Sequence, residues 1–246
     1  MGRAIERAAL DRGHEIVARI DVDNRGSMDS PAFRSADVAI EFTAPAAAME
    51  NVREALRLGV PVVSGSTGWN KGVEQLGAMV SQSGEGAFFY SSNYSIGMYL
   101  FRKTNIYLAQ LMRRFGQYSP EMEETHHIHK IDHPSGTAVT LAGELLHAHG
   151  GMKGWQERCL TFEGEVRECA AVPEGTLPVD VRREGEVPGI HTVRWSSDCD
   201  SISITHSARG RQGFAEGAVV AAEWLKGRQG FFGMDDMMNE IMNGND

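Results

Sequence analysis

The strongest constraint on the fold is an alternation over the first hundred residues, in which short apolar runs are separated by amphipathic stretches at helical spacing. "GRAIERAALDRG" sets Ile5, Ala8 and Ala9 on one helical face and stops at Gly13. "EIVARIDV" then reads as a strand ending at Asp21, and "DVAIEF" as another ending at Glu41 and Phe42. "AAAMENVREALRLG" predicts a helix closed by Gly59, "VPVVSG" a buried strand, "KGVEQLGAMVSQ" a helix and "GAFFYSS" a strand. A long helix follows Asn93. Short apolar strands joined by amphipathic helices need cover on both faces, which implies a parallel sheet in an α/β, Rossmann-like unit.

The alternation begins with a helix, where a doubly wound sheet begins with a strand. The glycine fingerprint of dinucleotide sites belongs at a strand-to-helix turn, where backbone amides meet the pyrophosphate. Only "MGR" corresponds to the end of such a turn. The expectation is that roughly ten residues, a first strand and most of its glycine loop, are missing from this sequence. Beyond residue 120, "VRECAAVPEGTLPVDVRREGEVPGIHTVRWSSDCDSISITHSA" is rich in Val, Thr and Ile with frequent turn residues, a pattern of antiparallel strands. The last segment, "GFAEGAVVAAEWLKGRQGFFGMDDMMNEI", returns to helix, with Ala218, Ala221, Ala222 and Leu225 on one face. The predicted plan is a dinucleotide domain of residues 1–97 and 212–246. Into it is inserted an α+β domain, residues 98–211, with a mostly antiparallel sheet.

Charge and composition narrow the function. A net charge of -9 argues against a nucleic-acid partner, since phosphate binding needs a basic surface. No apolar run approaches bilayer length, and the charged, amphipathic opening is not a secretory signal, so the expected setting is cytoplasmic. Cys159, Cys169 and Cys199 are odd in number and form no CxxC pair; free thiols in a reducing compartment are the expectation. Aromatic residues are sparse, so the core should be mostly aliphatic, with 12 methionines filling gaps.

The chemistry concentrates in "THHIHKIDHPSGTAVTLAGELL", Thr125 to Leu146, which holds four of the nine histidines. On a strand, His127 and His129 would share one face and His126 and Ile128 the other, so either face carries imidazole to a cleft. Histidine gives or takes a proton near neutral pH. Lys130 supplies a cation suited to a carboxylate or to developing negative charge. Pro134 and Gly136 shape a turn, and Thr137 opens a helix whose first amides are unsatisfied, a ready anion site. A proton donor, a cation and an anion cradle within about a dozen residues suit a small acidic substrate that must be protonated. A His-x-His pair can instead chelate zinc, though Lys130 would repel the ion. His14, His191 and His206 lack comparable context and read as structural.

These residues carry a resemblance. "ETHHIHKIDHPSGTA" resembles the signature of the bacterial dihydrodipicolinate reductase family, E-x-H-H-x-x-K-x-D-x-P-S-G-T-A, at every fixed position. "EFTAP" (Glu41 to Pro45), "GSTGW" (Gly65 to Trp69), "SSNYSIG" (Ser91 to Gly97) and "ITHSARGRQGFAEGAVVAAEWL" extend it along most of the chain. The N-terminus departs, where the family's first strand and glycine loop should lie.

The resemblance implies NADH- or NADPH-dependent reduction of 4-hydroxy-tetrahydrodipicolinate, a cyclic dicarboxylate, to tetrahydrodipicolinate in the diaminopimelate and lysine pathway. It implies His126 as acid/base residue and Lys130 as second donor or charge stabiliser. His127, Gly136 and Thr137 would bind substrate. Met1, Asp21, Gly65, Ser66, Thr67, Ser91, Ser92, Asn93 and Tyr94 would bind cofactor, and the assembly would be a homotetramer. Asp21 favours a free ribose hydroxyl, hence NADH, while Arg25 is near enough to accept a 2′-phosphate. Two rival readings stand beside this one: a catalytically impaired fragment or ligand-binding homologue, motivated by the absent glycine loop, and a His-rich metal-binding module.

Overall fold

The computed structural model describes residues 1–244, which divide into two compact units: residues 1–96 with the segment from Arg211 onward, and Gly97–Gly210. The first unit is built on a four-stranded sheet in the order β1-β2-β3-β10, with every pairing parallel. Its strands are short: β1 Ala39–Glu41, β2 Val62–Ser64, β3 Ala87–Tyr90 and β10 Gly230–Phe232. Val62, Val63, Phe88 and Phe89 are all buried, as a sheet covered on both faces requires. The helices are α1 Gly2–Asp11, a four-residue α2 Pro31–Arg34, α3 Pro45–Arg57, α4 Asn70–Ser83, α7 Gln212–Leu225 and α8 Met234–Asn243. Pro45 starts α3 at a position where a missing N–H is harmless, and Gly84 ends α4 in the left-handed conformation. Ile5, Ala8 and Ala9 of α1 pack with Ala215 and Val219 of α7, so the last part of the chain covers the first.

Two expectations for this unit need correction. Residues 15–21 form no strand, because a strand exists only through its ladder and β1 pairs only with β2. The stretch after Asp21 is instead a short 3-10 helix, Val22–Asp29. The C-terminal segment is not continuous helix: Gly230–Phe232 pairs with Ala87–Phe89 and extends the sheet.

The second unit carries a mixed six-stranded sheet, order β6-β5-β7-β4-β8-β9, with three antiparallel and two parallel pairings. The strands are β4 Ser119–His126, β5 Gly154–Phe162, β6 Glu165–Cys169, β7 Thr176–Arg183, β8 Ile190–Ser196 and β9 Ser201–Ser207. Helices α5 Ile96–Met112 and α6 Gly136–His149 cover it. The two-residue period of the strands sends Met122, then Leu177, Val179 and Val181, then Val193 and Trp195 into one core with Leu141 and Leu145. The free-thiol expectation is also overturned: register on the β5–β6 hairpin sets Cys159 opposite Cys169, and the two are disulfide-bonded. Cys199 is free and exposed.

Candidate active site

In the first unit, parallel pairing brings the carboxyl ends of β1, β2 and β3 to one edge, where open α/β sheets bind ligands. The residues following those strands are Phe42-Thr43, Gly65-Ser66-Thr67 and Ser91-Ser92-Asn93. Glu41 is the buried organiser of this edge. Its carboxylate accepts from the Thr43 N–H at 2.9 Å, the Ser66 hydroxyl at 2.7 Å and the Ser64 hydroxyl at 2.5 Å, and from the Thr43 hydroxyl. Gly65 has no room for a side chain, since a Cβ there would lie 2.2 Å from the Phe42 ring. Thr67 and Ser92 reach the surface and line a cavity of about 550 Å³ with Gly68, Asn70 and Tyr90.

The proposed cofactor residues take different parts. Ser66 spends its hydroxyl on Glu41 and on the Thr43 carbonyl. Tyr94 is buried and donates to the Ser64 carbonyl at 2.7 Å, with its ring against Phe42 and Phe89, so its side chain is a packing group. Ser91 donates to the Asn93 carbonyl, and Asn93 Oδ1 accepts from the Ser95 N–H, which folds that loop upon itself. Asp21 is exposed and accepts from the Val22 N–H at 2.7 Å; Met1 precedes α1 as its N-cap, and its carbonyl accepts from Ala4 and Ile5. Arg25 donates to Asn51 Oδ1 at 3.1 Å.

A dinucleotide fits these features: an open cavity of mixed polar and apolar lining beside the ends of β2 and β3, glycine where backbone must approach closely, and an exposed carboxylate at Asp21 for a ribose hydroxyl. Bound there, its dihydronicotinamide would supply a hydride.

In the second unit, the face of the sheet that buries the apolar core turns polar at one end. Stepping along each strand by two leads from Met122 to Glu124 and His126, from Val181 to Arg183, and from Val193 to His191. Glu124 and Arg183 are almost wholly buried and form an ion pair at 3.1 Å. Arg183 also donates to the carbonyls of Lys130 at 3.2 Å, Asp132 at 2.7 Å and Arg182 at 2.8 Å. One buried guanidinium therefore clamps the loop that follows β4. Glu124 Oε1 accepts from the Ser135 N–H at 3.0 Å, and Ser135 in turn caps α6 by accepting from the Ala138 N–H at 3.1 Å.

Strand alternation stops at His126, where β4 ends, so His127 and His129 do not share a strand face. The chain turns there, with the Ile128 N–H bonded to the Gly185 carbonyl and the Lys130 N–H to that of His127. The rings of His126 and His127 lie 6.5 Å apart and those of His126 and His191 5.2 Å apart. Lys130 holds Asp132 at 2.7 Å, and that bond keeps the Asp132 carboxyl below its ordinary range. Helix α6 starts at Gly136, one residue before the expected Thr137. A Cβ on Gly136 would meet nothing, so this helix end is open.

Burial pushes the His126 pKa down, opposed by the charge of Glu124. Burial pushes His191 down to about 4. Glu124, His126 and His191 each offer one donor atom, all within 4.8 Å of one another. The Arg183 cation already balances the carboxylate of that trio. Sequence reasoning named His126 and Lys130 but gave no part to Glu124, Arg183 or His191. The usable signal was a charged or titratable residue at the inward step of three strands.

Models of the dihydrodipicolinate reductase N-terminus and C-terminus match residues 1–94 and 97–238. This chain belongs to the dihydrodipicolinate reductase family. It is 40% identical over 241 residues to 4-hydroxy-tetrahydrodipicolinate reductase of Christiangramia forsetii, covering 98% of this chain and 95% of that protein. The Archaeoglobus fulgidus protein of the same name is 32% identical over 255 residues, covering 97% and 95%. Among solved structures, a dipicolinate-bound dihydrodipicolinate reductase from Paenisporosarcina sp. TG-14 aligns with a TM-score of 0.69. That match covers 96% of this chain and 94% of the other at 21% identity, a likeness of fold. Among the described residues, no helix is long and apolar enough to cross a membrane.

Proposed function

We propose that the chain reduces 4-hydroxy-tetrahydrodipicolinate to tetrahydrodipicolinate with NADH or NADPH, within diaminopimelate and lysine biosynthesis. Residues 1–97 and 212–246 bind the dinucleotide through Met1, Asp21, Gly65 to Thr67 and Ser91 to Tyr94, with Ser66 and Tyr94 shaping the site from within. Residues 98–211 hold the substrate. The observation that carries this reading is the cluster at the end of β4: an imidazole, a lysine and an open helix start, tied together by one buried ion pair.

A dianionic ring needs positive partners, and Lys130, His127 and the first amides of α6 at Gly136 and Thr137 supply them. Loss of the 4-hydroxyl group as water gives the conjugated ring; hydride addition to it leaves electron density that a proton must quench, and His126 donates that proton with Lys130 offsetting the charge. The same reading assigns the cytoplasm as setting and a homotetramer built on the second unit's sheet, whose outer strands β6 and β9 are mostly exposed. Light scattering reads the assembly.

The decisive assay follows NADH consumption with freshly generated substrate. His126→Ala should lose ~10²–10⁴-fold in kcat while its dinucleotide Kd stays unchanged. Lys130→Ala should raise KM as well as lower kcat. Lost NADH binding with normal turnover in His126→Ala would contradict the assignment.

A further inference from the structure

We propose that Glu124 is a positioning residue for His126: its buried carboxylate holds ring Nε2 inward, so that Nδ1 is the nitrogen that delivers the proton. The proposal rests on the reductase reading above and adds which atom acts and what aims it.

Three observations converge. First, Glu124 is fully buried, and its two oxygens are used differently. Oε1 is engaged by Arg183 and by the Ser135 N–H, while Oε2 has no hydrogen-bond partner and lies 3.8 Å from His126 Nε2. That separation is an ion-pair distance, too long for a hydrogen bond. Secondly, His126 Nε2 is itself buried and unpartnered, as is His191 Nδ1 nearby, and of the two it is Nε2 that lies at ion-pair distance from Oε2. An unpaired buried donor and acceptor are costly, and each is the natural answer to the other. Thirdly, the ring is confined. His191 packs on it edge-on at 5.2 Å, and a Cβ on Gly189 would lie 2.7 Å from its Cε1 and 3.3 Å from its Nδ1. Glycine at 189, with φ of +152°, leaves room for the ring edge at Cε1, between the two nitrogens.

The chemistry follows. In the charged ring both nitrogens carry protons; Nε2–H points at Glu124 and Nδ1–H points outward. Transfer of the Nδ1 proton to the substrate carbon leaves a neutral ring with its proton on Nε2, the tautomer a facing carboxylate stabilises. Solvent then returns a proton to Nδ1. The groups facing the ring are Glu124 from β4, His127 and Lys130 from the following loop, Arg183 from β7 and His191 from β8. Glu124 alone among them favours the charged ring. Removing its charge therefore lowers the proton affinity of His126.

Nitrogen-15 NMR of the unmodified protein reads the tautomer. The proposal expects neutral His126 protonated at Nε2; a proton on Nδ1 overturns it, whatever the activity. In Glu124→Gln, which keeps the shape and one acceptor, the His126 titration should move to lower pH, and an unmoved titration again overturns it. Kinetically, Glu124→Gln should lose about tenfold or more in kcat near neutrality, with the falling limb of the pH profile displaced downward and the dinucleotide KM unchanged. The part of the loss that runs through His126 vanishes once His126 is gone, so Glu124→Gln should cost less kcat in a His126→Ala background than in the unmodified protein. Multiplying losses would mean Glu124 is merely structural. An unmodified protein with no reductase activity would sink the functional reading while leaving the tautomer measurement to judge Glu124.

Discussion

Gly217 and His191 show how much of this protein is decided one residue at a time. A Cβ on Gly217 would lie 1.8 Å from the Tyr94 carbonyl oxygen, and backbone cannot swing aside as a side chain can. Gly217→Ala should therefore lose about 2–3 kcal/mol or more in denaturant unfolding, the upper range for overpacking. His191 resists protonation when folded, with a pKa near 4 against an ordinary 6.5, because burial penalises its charged form. The unfolded chain takes up that proton below about pH 6.5, so the penalty is absent above this value and grows as pH falls toward 4. The full penalty is of the order of 3 kcal/mol. Replacing His191 with Leu should flatten the stability profile across that window, and an unchanged acid limb would count against the burial argument. That His126 and Lys130 lie near enough to influence each other was legible from their spacing alone. Glu124 and His191 were not: nothing local distinguishes a buried carboxylate from a solvated one, and His191 meets His126 only because β4 and β8 are neighbours.

At the scale of elements, the strongly periodic segments were readable and the weakly periodic ones were not. Helices α3, α4, α5 and α7 carry their own apolar faces and stops, such as Gly59 and Gly84. The stretch at residues 15–21 has strand composition but no ladder partner, while Gly230–Phe232 is short and glycine-led yet finds the edge of β3. Pairing partners decide such cases, and propensity does not. The β5–β6 hairpin makes the same point through Cys159 and Cys169, whose spacing of ten residues becomes informative only once the register sets them opposite each other. Alkylation without reduction should label Cys199 alone. Cys159→Ser should lower stability by about 2–3 kcal/mol, as expected for releasing a loop of this length.

The molecule consists of two compact units, each with its own sheet and core. If the first unit is the dinucleotide holder, NADH at a hundredfold its Kd should stabilise the protein by about 2.7 kcal/mol, read as a raised unfolding temperature. No shift under saturating NADH would remove that assignment. The sequence by itself determined the strongly periodic elements, the parallel character of the first sheet and the gathering of imidazole and ammonium groups in one segment, because periodicity, capping and side-chain type are local properties. Only the tertiary structure decided that the second sheet is mixed, that two cysteines join, and that Glu124, Arg183 and His191 converge on His126. Those facts depend on which strands lie side by side and in what register, and burial in that setting is what turns ordinary polar residues into a charged clamp.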